Sequence, residues 1–417
     1  MRLTSTHRIA PLAFLLFSAV ALFGCAAFSH DPPELITLSN KLKVVTSAPL
    51  SGAQQADGEA MVNGERLALA DAHGVVGAHT VSLVVLNSVE PQGQLWSKGQ
   101  VAENAAFAVA DLDAVAYIGE SGALASQVSL PITNQGQLLQ VAPSDSYSGL
   151  TEASFAASDE PGRYSPSGKP NFGRIAASQL REVEAAARLQ HQQGCAKTLI
   201  LGGSSPEQFV ASRSLAAALK SQSVGVAGLE PLGSPLASAS SVAASVSRSG
   251  ADCLFYAGPA DRVGAQLLSS LKRAAPALKL FAGREQATAL FARSLSGAAR
   301  RSILFTAPAP DLARLKGPAA ELASRYRSSF GSAIVSEALY GYEAMSVVLD
   351  SIARAGRRAR NRTSVIAAFR ATRARDSVVG RYSVGTDGNS TLSSFVVLRV
   401  VGGALVASPG LSAAIRR

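Results

Sequence analysis

A chain of 417 residues, 47% hydrophobic and 16% charged, is long enough to bury two hydrophobic cores, and its composition excludes a disordered chain. Its formal net charge of +10 raises nucleic acid as a partner. The one dense basic run, RAGRRARNR at 354–362, lacks interleaved aromatics, so it reads as a solvated or membrane-facing surface and no nucleic acid is expected.

The N-terminus sets the compartment. Arg2 and Arg8 precede IAPLAFLLFSAVALFG, an apolar run of signal-peptide length and marginal for a membrane span. Leu22-Phe23-Gly24-Cys25 follows and resembles a bacterial lipobox. Residues 1–24 are then a lipoprotein signal peptide, Cys25 the lipidation site and 25–40 a tether; an uncleaved anchor helix is the alternative. Either way the rest of the chain faces outward. In that compartment Cys195 and Cys253 are expected to form a disulfide, since they open the first and third strands of one α/β series, which are neighbours in a doubly wound sheet. Two buried free thiols are the alternative. With no CxxC and five scattered histidines, neither a metal nor a cofactor is expected.

Strand-like runs at 43–50, 80–87, 114–119 and 138–143 alternate with helical stretches near 57–72, 95–110 and 121–130. Continuously apolar strands separated by helices predict a parallel sheet covered on both faces. SDEPGRYSPSGKPN (158–171) breaks the rhythm. It then restarts with strands at 197–201, 224–229, 253–258, 279–283 and 302–308, so a second α/β lobe is expected. Beyond it come helices near 335–355 and 363–372. A final hairpin is expected from GRYSVGTDGNS and SSFVVLRVVGG, turned at Asp387 and Gly388.

The order and spacing of APLSG (48–52), AYIGESGALASQVSLPI, LLQVAPSDSYSGLT, PSGKPNFGRIAAS, DCLFYAG, ALYGYEAMSVVLDSIARAG and VVGRYSVGTDGN resemble the type I periplasmic solute-binding proteins, in the branch that takes branched-chain amino acids and amides. The resemblance implies an α/β fold of two doubly wound lobes joined by three crossovers near 160, 305 and 377. Lobe 1 is then 41–160 plus 306–377, lobe 2 is 161–305 plus 378–405, and 406–417 is a tail. It also implies a non-enzymatic, monomeric binder on the extracytoplasmic face of the cell membrane. Such a binder closes on a small polar, amino acid-like ligand and delivers it to ABC permease subunits.

The turn after the third strand, ESGALAS, invites a catalytic reading, because Gly119-Glu120-Ser121-Gly122-Ala123 nearly matches the G-x-S-x-G nucleophile elbow. The match fails at Ala123, and the only histidine after Ser121 is His191, at the apparent end of a helix leading into the second lobe. A ligand cradle uses the same residues better, since free N–H groups at a helix start hold a carboxylate or amide oxygen. By resemblance the first turn offers Ser121, Gly122 and Ala123, and the second offers Ser144 and Ser146. The family's aromatic after the second lobe's first strand falls at Glu207, with Phe209 close by, and Glu285 in AGREQ is the carboxylate for a ligand ammonium. Ordinary capping and turn chemistry is the alternative for the serines, and a solvated loop carboxylate for Glu285. An extracytoplasmic sensor or interaction lipoprotein on the same fold is the alternative function.

Overall fold

The computed structural model describes residues 40–122, 124–232 and 238–415, so the expected signal peptide, Cys25, nearly all of the tether and Ala123 lie outside the described residues. The first series runs β1 (Lys41–Ala48), α1 (Gln55–Asp71), β2 (Val75–Val76), β3 (His79–Asn87), α2 (Lys98–Ala110), β4 (Ala114–Ile118), α3 (Ser126–Gln135), β5 (Leu139–Ala142) and β6 (Phe172–Arg174). Its strands form one sheet in the order β2-β3-β1-β4-β5-β6, parallel except at β2. Every residue of β4 is buried, as a strand covered on both faces requires.

The second series runs α4 (Gln179–Gln192), β7 (Lys197–Gly202), α5 (Pro206–Ser221), β8 (Gly225–Pro231), α6 (Ala239–Ser249), β9 (Cys253–Ala257), α7 (Arg262–Ala274), β10 (Lys279–Ala282), α8 (Ala289–Ser294), α9 (Gly297–Ser302) and β11 (Leu304–Pro308). The chain then returns to the first sheet with α10 (Pro318–Phe330), α11 (Ser336–Ala355) and α12 (Arg362–Arg370). It ends on the second with β12 (Phe395–Val401), β13 (Ala404–Ala407) and α13 (Pro409–Ala414). The second sheet has the order β13-β12-β11-β10-β9-β7-β8. It is parallel except for the β11–β12 and β12–β13 pairs. Cys195 and Cys253 form a disulfide with Cα atoms 5.8 Å apart, beside the β7–β9 pairing of Thr198 with Cys253.

Four boundaries differ from expectation. Phe172–Arg174, assigned from sequence to lobe 2, pairs with β5, so the first crossing follows Arg174. Residues 378–392 were placed in lobe 2 and in the hairpin. Their apolar side chains Val378, Val379, Tyr382, Val384 and Leu392 instead bury in the first core, and the hairpin is β12–β13, turned at Gly402 and Gly403, both at positive φ. Residues 406–415 fold onto the second lobe rather than trailing, with Ile415 fully buried and the Ser412 hydroxyl accepting the Val397 N–H at 2.8 Å. The helix expected at 121–130 starts only at Ser126, after Leu124 at φ 65°.

The basic run is also partly structural. Arg362 donates to the carbonyls of Ala108, Val109, Asp111, Ala114 and Gly136, capping the C-terminal ends of α2 and α3 with a cation.

Helices α1 and α11 cross in backbone contact. A Cβ on Gly64 would lie 2.0 Å from the Ala338 carbonyl oxygen, and one on Gly341 would lie 2.2 Å from that of Met61. Alanine normally stabilises a helix interior relative to glycine. Here Gly341→Ala is expected to destabilise by about 1–3 kcal/mol because neither backbone can yield freely, read as a lower urea midpoint at unchanged slope. Replacing both Cys195 and Cys253 by Ser opens a loop of 58 residues, for which the chain-entropy model gives a loss of about 4 kcal/mol. A reducing agent should reproduce that loss in the wild-type protein and add nothing to the double variant.

Candidate functional site

In doubly wound sheets ligands lie beyond the carboxyl ends of the strands, where the order reverses. Here the order reverses around β1 in the first sheet and β7 in the second, and a cavity of about 670 Å³ opens between the strand ends. From the first lobe it is lined by Gln54 and Asp57 after β1, Ser121 and Gly122 after β4, Ser144 after β5, and Glu337 and Tyr340 from α11. The second lobe contributes Glu207 from the first turn of α5 and Arg284, Glu285 and Thr288 after β10. Ala176, Pro308 and Pro310, on two of the segments that pass between the lobes, close its hinge side.

Of the expected residues, Ser121, Gly122, Ser144, Glu207 and Glu285 therefore come together around one cavity. Ser146 is buried just behind it, its hydroxyl accepting from the Arg284 guanidinium at 3.2 Å, a side-chain bond between the lobes. Phe209 does not join them. It is 46% exposed, with the Arg213 guanidinium over its ring, because its place in the first turns of α5 turns it to solvent.

The turn after β4 divides its residues. Glu120 points inward and is buried, accepting from Tyr117 Oη at 2.6 Å and Ser47 Oγ at 3.0 Å; burial pushes its carboxyl up to about 7. Ser121 faces the cavity, and its carbonyl accepts from Ser144 Oγ at 3.3 Å. Gly122 has no room for a Cβ, which would stand 2.9 Å from the indole of Trp96 packed behind it.

The helix start expected to hold a ligand anion is already filled. The first N–H of α3, on Ser126, donates to Asp145 Oδ2 at 3.2 Å, and the Tyr147 N–H donates to its Oδ1 at 3.1 Å. Asp145 is wholly buried; desolvation raises its pKa, against the pull of the Arg174 charge and these hydrogen bonds. His191, the one candidate base for Ser121, is exposed in the last turn of α4, and no histidine is among the cavity's lining residues.

Four of the cavity's groups are carboxylates, and Arg284 is the one cation among its lining residues. Glu207, 7% exposed, is raised to about 8 by burial and then by the charge of Glu285. Glu285 is raised to about 7 by burial, with its Oε1 accepting from Gln208 Nε2 at 2.5 Å. Partial desolvation also raises the half-buried Glu337 and the more exposed Asp57, and the Arg284 charge opposes both shifts. Arg284, Asp57, Glu337 and Tyr340 were not singled out from sequence. Arg284 adjoins the expected Glu285, whereas Asp57 and Glu337 look like ordinary first-turn acids of α1 and α11.

Residues 41–404 match the family model described as periplasmic binding protein. No curated protein matches the chain. Among solved structures, a leucine binding protein from Thermotoga maritima is 18% identical, with 88% of this chain and 97% of that chain covered at a TM-score of 0.69. A substrate-binding protein of an ABC transporter from Desulfitobacterium hafniense, in complex with Leu, is 15% identical over 88% of this chain and all of the other, at 0.71. A solute-binding protein from R. palustris, in complex with benzoate, is 17% identical over 88% and 95%, at 0.64. At these identities the likeness is one of fold.

Glu207 sets a pH dependence. A carboxyl raised on folding keeps its proton in the folded state where the unfolded chain has lost it, so its contribution to stability falls as pH rises from about 4.5 to about 8. Glu207→Gln should leave the melting temperature at pH 4 unchanged and raise it by a few degrees at pH 8. Equal shifts at both pH values would show that Glu207 is not the titrating group. Arg174→Met, which leaves Asp145 and two turn carbonyls without their cation, is expected to cost about 3–5 kcal/mol in urea unfolding.

Proposed function

The chain belongs to the periplasmic binding protein family, and from that premise we propose that it is a lipid-anchored extracytoplasmic solute-binding protein that closes on a small polar ligand and delivers it to ABC permease subunits. The observation that carries the reading is the cavity itself. Its polar groups come from the strand ends of both lobes, and the lobes are joined by crossing segments rather than by a continuous sheet. Contacts that need both lobes exist only when the lobes approach, so a ligand that makes them shifts the population toward closure. The size of the cavity suits an amino acid or a small aromatic acid, and the structural neighbours named for leucine and benzoate carry solutes of that size.

In this reading Ser121, Gly122 and Ser144 offer the first lobe's contacts and Glu207 and Glu285 the second's. Ser146 holds Arg284 across the gap. Members of the family serve transporters as substrate-binding proteins and are non-enzymatic in general. The anchor rests on the Leu22-Phe23-Gly24-Cys25 sequence, and the protein works as a monomer.

Calorimetry with a panel of amino acids, amides and small organic acids is expected to give one site per chain, and X-ray scattering a smaller radius of gyration on saturation. A ligand that bound without compaction would remove the closing mechanism. Radiolabelled palmitate should label the expressed chain and not its Cys25→Ser variant; label on neither would remove the anchor and leave the binding reading standing.

A further inference from the structure

The cavity's charges are arranged in two pairs. On the first lobe Asp57 and Glu337 stand in the first turns of α1 and α11, close enough for the Asp57 charge to act on Glu337. On the second lobe Glu207 and Glu285 stand at the start of α5 and just after β10, and the Glu285 charge acts on Glu207. All four line the same cavity. Arg284 is their shared counter-charge, acting on Asp57, Glu337 and Glu207 while bonded to Ser146.

One cation among four carboxyl groups leaves a lining that must hold protons or meet further cations, and Glu207, the buried one, cannot hand its charge to water. A second observation is independent of that count. The Glu207 side chain is more than nine-tenths buried, lines the cavity, and accepts no hydrogen bond from the described residues; only its backbone carbonyl is taken, by Gln179 Nε2 at 2.9 Å. A buried acceptor left open toward a cavity calls for a donor that the cavity's occupant brings. At the start of α3 the Ser126 N–H is already taken by Asp145, which leaves Arg284 as the cavity's charged partner for an anion.

We propose that the ligand is a compact organic cation with two basic nitrogens, one met by the Asp57–Glu337 pair and the other by the Glu207–Glu285 pair. This rests on the solute-binding reading above and names its substrate class. Two sources share that chemistry: a dibasic amino acid, whose carboxylate would take Arg284, and a diamine, which would leave Arg284 to Ser146.

The test is calorimetry on the full chain in detergent at pH 7.5, in two buffers of different ionisation enthalpy, with L-arginine, L-lysine, putrescine, L-leucine and benzoate as probes. At least one dibasic probe is expected to bind about 100-fold more tightly than leucine or benzoate. A cation lowers the raised carboxyl pKa values it meets, so binding should release protons; an anion would take them up. Glu207→Gln and Glu337→Gln, each nearly isosteric, should weaken that binding by about tenfold or more and reduce the proton release, with their folding checked by thermal melts. Arg284→Ala separates the sources, abolishing arginine or lysine binding but sparing putrescine. Tightest binding of leucine or benzoate, or proton uptake with any probe, overturns the dibasic ligand and leaves the solute-binding function intact. Silence from every probe, leucine and benzoate included, overturns both.

Discussion

The buried charge of Arg174 ties the turns and crossing segments of the first lobe to the ligand cleft. Its side chain is fully buried, and its guanidinium donates to the carbonyls of Ser146 and Tyr147 at 2.9 and 2.7 Å. Those bonds fix the turn after β5, and with it Asp145, which in turn fixes the start of α3. The Arg174 backbone does a second job. Its N–H donates to Gly388 and its carbonyl accepts from Ser390, joining the first segment that leaves the first lobe to the last one that leaves it. A cation so placed is costly to desolvate and acceptable only with its partners present. That condition makes the turn, the helix start and the crossing segments one cooperative unit.

Around that unit the cleft holds more carboxyl groups than cations. Three of its four carboxylates sit in the first turns of helices, where the helix dipole offsets part of the cost of ionisation. The offset is incomplete, since burial still pushes Glu207 up to about 8. Such a site is stable with protons and ready for a cation, which makes ligand affinity and proton affinity alternatives at the same oxygens.

The alternation of apolar strands and helices was legible in the sequence because β4 and its neighbours are buried on both faces, and period and length alone specify that. The disulfide was legible too, since the chain's α/β order puts Cys195 and Cys253 at neighbouring strand starts. Long-range packing was hidden. Nothing local in Val378, Tyr382 or Leu392 says which of two similar cores will take them, and the Asp-Gly pair at 387–388 does turn the chain, but between Val384 and Ser390 in the first lobe rather than in the final hairpin. In the site, Ser121 was readable from its strand-to-helix turn, and Ser144 and Glu285 only through the family resemblance. Asp57 and Glu337 were not, because a first-turn acid satisfies helix electrostatics whether or not a cavity lies in front of it. Phe209 failed for the converse reason: an aromatic two residues from the right position on a helix faces another way.

The packing of residues 378–392 into the first core reaches beyond the folded state. The chain emerges from its N-terminus onward, whether from the ribosome or through a membrane channel. The strands of the first sheet are complete at Arg174, but the core they must cover lacks part of its filling until Leu392 has followed, tens of seconds later at about 5–20 residues per second. The second lobe also waits for β12 and β13, although its disulfide can close as soon as Cys253 has passed. Neither lobe is a unit that biosynthesis can finish first. During that interval the apolar strand faces of both stand open, so the order of emergence belongs to the folding problem as much as the sequence does.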